Sequence, residues 1–399
     1  MKIEKIKIEN YKVYRSTEIR DLSNFSVFLG ANGAGKSTLF DVFGFLSDAL
    51  KANVKTALNK RGGYREVYSR GGDGPILFEI KFRNEKVEGE TQPLITYRLE
   101  ISLENGLPVI TTEILSYRRG GYGRPYRFLD FHRGEGTAII NEDEYSSVSS
   151  TTFQDQREQQ TLDSPDILAI KGLGQFQKFK AISSFRRLLD NWYVSNFQIQ
   201  EARNVEDVGF SEHLSTSGNN LAQVTRYIWE NHRDIFNTIL EKFRRRVPGV
   251  ESVIAEETQD GRIVLKFKDS SFQDPFVARF VSDGTIKMFA YLVLLNDPET
   301  HPLLCVEEPE NYLHHDLLPE LAEEFREYAD KGGQVFISTH SPDFINALHP
   351  DELFWLKKNN GETTIRKASE DSTIMALYAN GDKLGWLWKE GYLKGSGPY

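Results

Sequence analysis

Cysteine is almost absent. Cys305 is the single one in 399 residues, which excludes an internal disulfide and any cysteine-rich zinc site and leads us to expect a reducing compartment. It lies in an apolar run and reads as packing. No apolar stretch reaches the ~18 residues of a membrane span, and the first residues lack the basic-then-apolar order of a secretory leader. A cytoplasmic protein with no membrane partner is expected. Positive charge is not in excess either: 49 Lys and Arg stand against 58 Asp and Glu, a net charge of -9. Any contact with nucleic acid would need a local basic patch. Neither an internal repeat nor a sustained heptad is visible. What is there is a globular composition, 39% hydrophobic and 27% charged, in a chain long enough to bury a large core and to divide into two lobes.

The most informative stretch is Gly30-Ala31-Asn32-Gly33-Ala34-Gly35-Lys36-Ser37. It fits G-x-x-x-x-G-K-[ST] in full. Phe25-Ser26-Val27-Phe28-Leu29 reads as a buried strand entering it, and the run from Thr38 as a helix leaving it. Glycines let consecutive backbone N–H groups turn inward around a polyphosphate without a Cβ collision, and the following helix offers its positive end to the anion. Lys36 would reach the β- and γ-phosphates, and the Ser37 hydroxyl would ligate Mg²⁺. A glycine-rich turn that merely caps a helix is the bland alternative, disfavoured by the strand and helix on either side.

Residues 1–9 alternate apolar and charged side chains, the pattern of a half-buried strand. Lys12 and Arg15 read as solvated surface before nucleotide contacts. Between 75 and 140, three segments of period two separated by turns predict an antiparallel sheet inserted after the first helix. Two Arg/Gly/Tyr stretches flank them, 60–65 and 118–127. They fit either hairpin tips or a hold on DNA or RNA. The polar, aperiodic run 143–165 reads as a mobile loop. Residues 181–192 predict a helix, 193–199 a strand, and 220–246 two amphipathic helices closed by Pro248-Gly249. Arg244-Arg245-Arg246 suits a helix C-terminus or a DNA contact equally.

A second block follows strands near 250–255 and 263–267. Ser282-Asp283-Gly284-Thr285 opens an apolar helix. Leu303-Leu304-Cys305-Val306 is an apolar strand ending in Glu307-Glu308, and Val335-Phe336-Ile337 leads to Ser338-Thr339-His340. In open parallel sheets, functional groups collect at the carboxyl ends of strands, and here three such ends carry Lys36/Ser37, Glu307/Glu308 and His340. Of two adjacent acids, the first, Glu307, would hold the metal and the second, Glu308, would polarise an attacking water for in-line hydrolysis. Taken alone, the acids could be an ordinary helix start and His340 an ordinary strand end; the phosphate loop tips the reading towards chemistry.

In this order of motifs the chain resembles the ABC-type P-loop ATPases of the RecF, SMC and OLD-like group, in particular small AAA-family ATPases without a long coiled coil or Toprim domain. The likeness covers roughly residues 1–50 and 278–345. It implies an α/β fold: a P-loop core with a mostly parallel sheet, an inserted antiparallel β region and a helical lobe. The expected division is an ATPase core at 1–56 and 250–368, a β insertion at 57–142, a loop and helical lobe at 143–249, and a tail at 369–399. The resemblance implies ATP and Mg²⁺ as cofactors, the backbone from Gly30 to Thr38 around the phosphates, and hydrolysis of ATP to ADP and phosphate. It also implies that Ser282, Asp283 and Gly284 stand in for the signature motif, departing from the transporters' Leu-Ser-Gly-Gly-Gln, and bind the γ-phosphate of a nucleotide held by a second copy. Glu307 replaces the more usual aspartate at the metal position, His340 matches the switch histidine, and Asn311-Tyr312-Leu313-His314 resembles the segment that crosses the dimer seam. No residue is assigned as the Q-loop glutamine. The expected function is an ATP-hydrolysing switch, dimeric, in DNA repair or defence against mobile elements beside a separate effector protein. Two rivals are an ATP-gated nuclease and a non-hydrolysing scaffold. The nuclease is disfavoured because the stretch after His340 is short for a Toprim domain and its acidic pairs, Asp351-Glu352 and Glu370-Asp371, do not end apolar strands.

Overall fold

A computed structural model describes residues 2–83, 93–117, 125–142 and 155–397. The chain forms two compact units: one of Met1–Trp192, His349–Asp382 and Leu387–Tyr399, the other of Tyr193–Leu348 with Lys383–Trp386.

The first unit is built on nine N-terminal strands: β1 (Lys2–Tyr11), β2 (Tyr14–Ile19), β3 (Phe25–Leu29), β4 (Ile76–Arg83), β5 (Ile95–Glu104), β6 (Leu107–Tyr117), β7 (Tyr126–His132), β8 (Glu135–Ile139) and β9 (Arg157–Thr161). All but β3 join one antiparallel sheet in the order β2-β1-β4-β5-β6-β7-β8-β9. Register follows the period-two pattern. Ile6 pairs with Ile80, Ile80 with Tyr97, Tyr97 with Leu115, Leu115 with Leu129 and Leu129 with Ala138, which makes a buried row across the sheet. Helices Lys36–Lys51 and Lys180–Asp190 cover that face, with Phe45 against Phe78 and Phe185 stacked on Phe82. The alternate positions, among them Glu79, Lys81, Arg98 and Glu100, are only half-buried.

The antiparallel sheet therefore extends past 57–142, since β1 and β2 form one edge and β9 the other. β9 corrects part of the expected mobile loop. Its sequence, Arg-Glu-Gln-Gln-Thr, has no apolar alternation because it is an edge strand held by backbone pairing to β8, Gly136 opposite Gln160. Residues 143–154 of that loop, and 118–124 of the second Arg/Gly/Tyr stretch, lie outside the described residues. The strand expected at 193–199 is limited to Trp192–Val194, and Ile199–Ala202 is a short helix.

β3 is buried at every position and pairs in parallel with Leu353–Asn359, Val27 opposite Leu353 and Leu29 opposite Trp355. A continuous apolar run suits a strand covered on both faces. Glu362–Lys367 then pairs antiparallel with Leu353–Asn359.

Glu113 on β6 is 1% exposed and accepts hydrogen bonds from the Ala169 and Ile170 amides, at 2.5 and 3.1 Å, and from the Tyr97 hydroxyl. Burial pushes its carboxyl up to about 7 against the pull of those three donors. The folded state thus holds a proton that the unfolded chain releases near the ordinary carboxylate value. Stability from this group is full below that value and falls by roughly 3 kcal/mol as pH rises to about 7. Urea unfolding from pH 4.5 to 7.5 should show a shallower loss for Glu113→Gln than for wild type; parallel profiles would refute the assignment.

In the second unit, strands Leu303–Glu307 and Gln334–Thr339 pair in parallel, Cys305 opposite Phe336 and Glu307 opposite Ser338. The helix Asp283–Leu295 is buried from Ile286 to its end, apolar nearly all round as a core helix must be. Phe289 on it meets Phe243 and Phe267, which join it to the helix Arg233–Arg246 and the hairpin Val250–Glu257/Arg262–Asp269. Much of the basic run 244–246 is used internally: Arg246 donates to Glu324 at 2.6 Å and Arg244 to the Glu251 carbonyl at 2.7 Å.

Candidate functional site

In the first unit, β3 runs into a tight loop and the helix Lys36–Lys51 leaves it. Gly35 has φ +105°, and a Cβ there would sit 2.8 Å from Val13 Cγ2, so both backbone and space demand glycine. A Cβ on Gly30 would press on Leu356 and Ala34 at 3.1 Å. Lys36, 6% exposed, folds back to donate to the carbonyls of Gly30 at 2.7 Å and Ala31 at 3.4 Å. Asn32, Gly33 and Ser37 face solvent, and Thr38 is half-buried.

Two groups that the sequence did not single out fix the loop from outside. The Tyr14 hydroxyl donates to the Gly35 carbonyl at 2.8 Å, and Thr363 Oγ1 to the Ala34 carbonyl at 2.9 Å. With these carbonyls held, the peptide planes of the loop are set before any ligand arrives. Burial drives the Tyr14 phenol far above its ordinary range, so it stays a neutral donor. Behind the loop, Asp41 accepts from Tyr11, Lys12 and Arg61 at 2.7, 2.5 and 2.6 Å. Burial alone would raise its carboxyl, but the Lys12 bond and the Arg61 charge hold it below the carboxylate range. Lys12 is thus ion-paired, and Arg15 donates to the Arg70 carbonyl. In the stretch 60–65, Lys60 and Arg61 are neutralised by Asp48 and Asp41, which leaves exposed Arg65 as its outward cation.

In the second unit, Glu307 ends its strand half-buried and Glu308 follows at φ +45°, a left-handed conformation that a side chain seldom adopts. The Glu308 amide donates to the Ser338 carbonyl at 2.8 Å. Its carboxylate is held at both oxygens, with Oε1 3.2 Å from His340 Nδ1 and Oε2 accepting from Asn311 Nδ2 at 3.0 Å. The structure therefore brings Glu308 and His340 together and adds Asn311. Glu310 is a further residue that the sequence reading missed. Buried, it accepts from Thr339 Oγ1 at 2.7 Å and from the His340 amide at 2.9 Å, tying the two strand ends together. The one available signal was its spacing two positions after Glu308, a weak one.

Ser282 caps the helix Asp283–Leu295, accepting from the Thr285 amide at 3.2 Å, and is itself exposed. Asp283 is paired with Arg203 at 2.7 Å. A Cβ on Gly284 would lie 2.6 Å from the Tyr312 carbonyl, so the start of this helix needs glycine to pack on the stretch 311–314. Tyr312 and His314 are exposed. The Ser37 hydroxyl in the first unit and the Glu307 carboxylate in the second are each, taken separately, hard oxygen donors of the kind that Mg²⁺ prefers. Elsewhere in this unit His213, Asp297 and His301 cluster, but His213 Nδ1 already hydrogen-bonds both Asp297 oxygens at 3.1 and 2.9 Å.

The family described as "AAA domain, putative AbiEii toxin, Type IV TA system" matches residues 25–346. The chain is 22% identical over 388 residues to an ATP/GTP phosphatase of Helicobacter pylori, covering 90% of this chain and 93% of that one. It is 20% identical over 400 residues to the Old nuclease of Escherichia phage P2, covering 95% of this chain and 63% of that protein. An 86-residue segment is 33% identical to the DNA double-strand break repair Rad50 ATPase of Pyrococcus abyssi, 21% of this chain and 9% of that one. Among solved structures, an Smc head bound to the C-terminal winged-helix domain of ScpA aligns with TM-score 0.57 at 14% identity, over 92% of this chain and 98% of that one. The fold is that of an SMC-head-like P-loop ATPase.

Proposed function

Since the chain belongs to the AAA-domain family that spans residues 25–346, we infer that it is an ATP-binding and ATP-hydrolysing switch in which two copies associate head to tail. The observation that carries this reading is the Glu308 carboxylate, held by His340 and Asn311 directly after an apolar strand, in a chain with a preformed phosphate loop. Backbone amides from Gly30 to Thr38 bind the phosphates, and Lys36 leaves its two carbonyls to contact the β- and γ-oxygens. Ser37 and Glu307 would hold Mg²⁺, which would neutralise charge on the phosphates. Glu308 accepts a proton from the attacking water, and His340 contacts the γ-phosphate.

The exposed edge of Ser282 to Gly284 and the exposed stretch 311–314 suit a partner surface. There the helix N-terminus of one copy meets the γ-phosphate held by the other. Each γ-phosphate then favours the closed pair over separate copies, the differential affinity that a population shift requires. A relative named for double-strand break repair and another named as a nuclease support a role in DNA repair or in defence, beside a separate effector protein.

With Mg²⁺ and ATP the protein should release phosphate, and light scattering should report a doubling of mass with a non-hydrolysable ATP analogue. Absence of phosphate release would favour a non-hydrolysing scaffold; release without any change in mass would remove the dimer from the reading.

A further inference from the structure

Lys287 lies one turn beyond the Ser282 cap on the helix Asp283–Leu295 and is only 6% exposed, a position where a cation is costly unless it is partnered. Its Nζ donates to the backbone carbonyl of Glu308 at 3.3 Å and sits 5.5 and 5.7 Å from the ring centroids of Tyr291 and Tyr312. Glu310 and Glu308 face it with negative charge. Glu310 Oε2 is buried with no hydrogen-bond partner among the described residues, so the nearby ammonium balances a carboxylate that hydrogen bonds only partly satisfy. Burial lowers the Lys287 pKa to about 8 while the two acids pull it back up, and the group stays mostly protonated at neutral pH.

The partner of this ammonium is the carbonyl of the one residue in the acidic segment 307–310 with a left-handed backbone, Glu308. A peptide in that conformation persists where its surroundings over-determine it. Three hydrogen bonds hold this one: the Glu308 amide donates to the Ser338 carbonyl, and the Asn311 amide, at 3.2 Å, and Lys287 both donate to the Glu308 carbonyl. The same helix begins at Ser282, and its start packs through Gly284 on Tyr312, whose ring lies beside Lys287.

We propose that Lys287 is a positioning residue that holds Glu308 in its hydrolytic orientation and ties that orientation to the helix headed by Ser282. This rests on the ATPase reading above. When the γ-phosphate held by a second copy docks on Ser282, any shift of the helix is transmitted through Lys287 to the Glu308 peptide. With the ammonium gone, the Glu308 carbonyl keeps only the Asn311 amide, the peptide loosens and its carboxylate moves off His340, while nucleotide binding is untouched.

Lys287→Met keeps an unbranched stem between the two tyrosines and removes the charge and donor; Lys287→Arg keeps both. Steady-state phosphate release should show kcat lowered about 10- to 100-fold in the Met variant, KM for ATP within about 3-fold of wild type, and kcat largely restored by Arg. A folded Met variant with unchanged kcat, or one in which kcat falls no more than affinity does, overturns the proposal. Should the Met variant fail to fold, the Arg variant decides: near-wild-type kcat supports the proposal, and a loss as large as that expected for Met overturns it. Wild type is assayed alongside. Its failure to release phosphate would sink the ATPase reading itself, whereas normal wild-type turnover with an indifferent Met variant sinks only the role of Lys287.

Discussion

Lys36→Ala lowers ATP affinity by about 10²- to 10⁴-fold and abolishes turnover. In the structure the Lys36 ammonium is folded onto the carbonyls of Gly30 and Ala31 and screened from water, and these are bonds it can exchange for phosphate oxygens without moving the helix. Charge-assisted hydrogen bonds are each worth about 1.5–3 kcal/mol, so losing two of them to the β- and γ-phosphates accounts for the range. The loop itself should survive, because Tyr14 and Thr363 fasten it through the carbonyls of Gly35 and Ala34 rather than through Lys36. Titration calorimetry with ATP, beside a melting curve, separates the two effects. Undiminished nucleotide affinity would falsify the phosphate-loop assignment.

Glu308→Gln should cut phosphate release by about 10²- to 10⁴-fold, the contribution of a positioned general base, while ATP still binds. The substitution preserves size, and an amide can keep the contacts with Asn311 and His340, so the left-handed backbone at Glu308 is expected to persist. What disappears is the ability to take a proton. A switch that closes on ATP and opens on hydrolysis is then arrested in the closed state, and light scattering with saturating ATP and Mg²⁺ should show a lasting dimer. A particle that stays monomeric under those conditions counts against the two-copy arrangement, and retained turnover means that the base lies elsewhere.

What the sequence makes legible is what local pattern decides. The strand, glycine-rich turn and helix around Lys36 are specified within some twenty neighbouring residues, and period-two alternation marks the three long strands between 75 and 117 because each has one buried face. The wide reach of the antiparallel sheet is less visible. β1 reads in isolation only as a half-buried strand, and pairing with β4 shows which sheet it joins. β9 escapes a reading based on apolar periodicity because it buries little on either face. The same division holds at the site. Glu308 and His340 are marked by their places at strand ends, whereas Tyr14, Thr363 and Lys287 have partners brought near by folding that nothing in their immediate neighbours announces, and Glu310 has only its spacing from Glu308.

The parallel pairing of β3 with Leu353–Asn359 governs when the phosphate loop is fully braced. The Val27 amide donates to the Glu352 carbonyl, and Thr363 donates twice, from its hydroxyl to the Ala34 carbonyl and from its amide to the Val13 carbonyl. Contacts so distant in the chain form late, since the entropy of closing the intervening loop opposes them. On a ribosome adding about 5–20 residues per second, the phosphate loop emerges early with Tyr14 already present to hold the Gly35 carbonyl, while the Ala34 carbonyl waits until residue 363 has been translated and released from the exit tunnel. The bracing of the loop is therefore completed only after nearly the whole chain has been made.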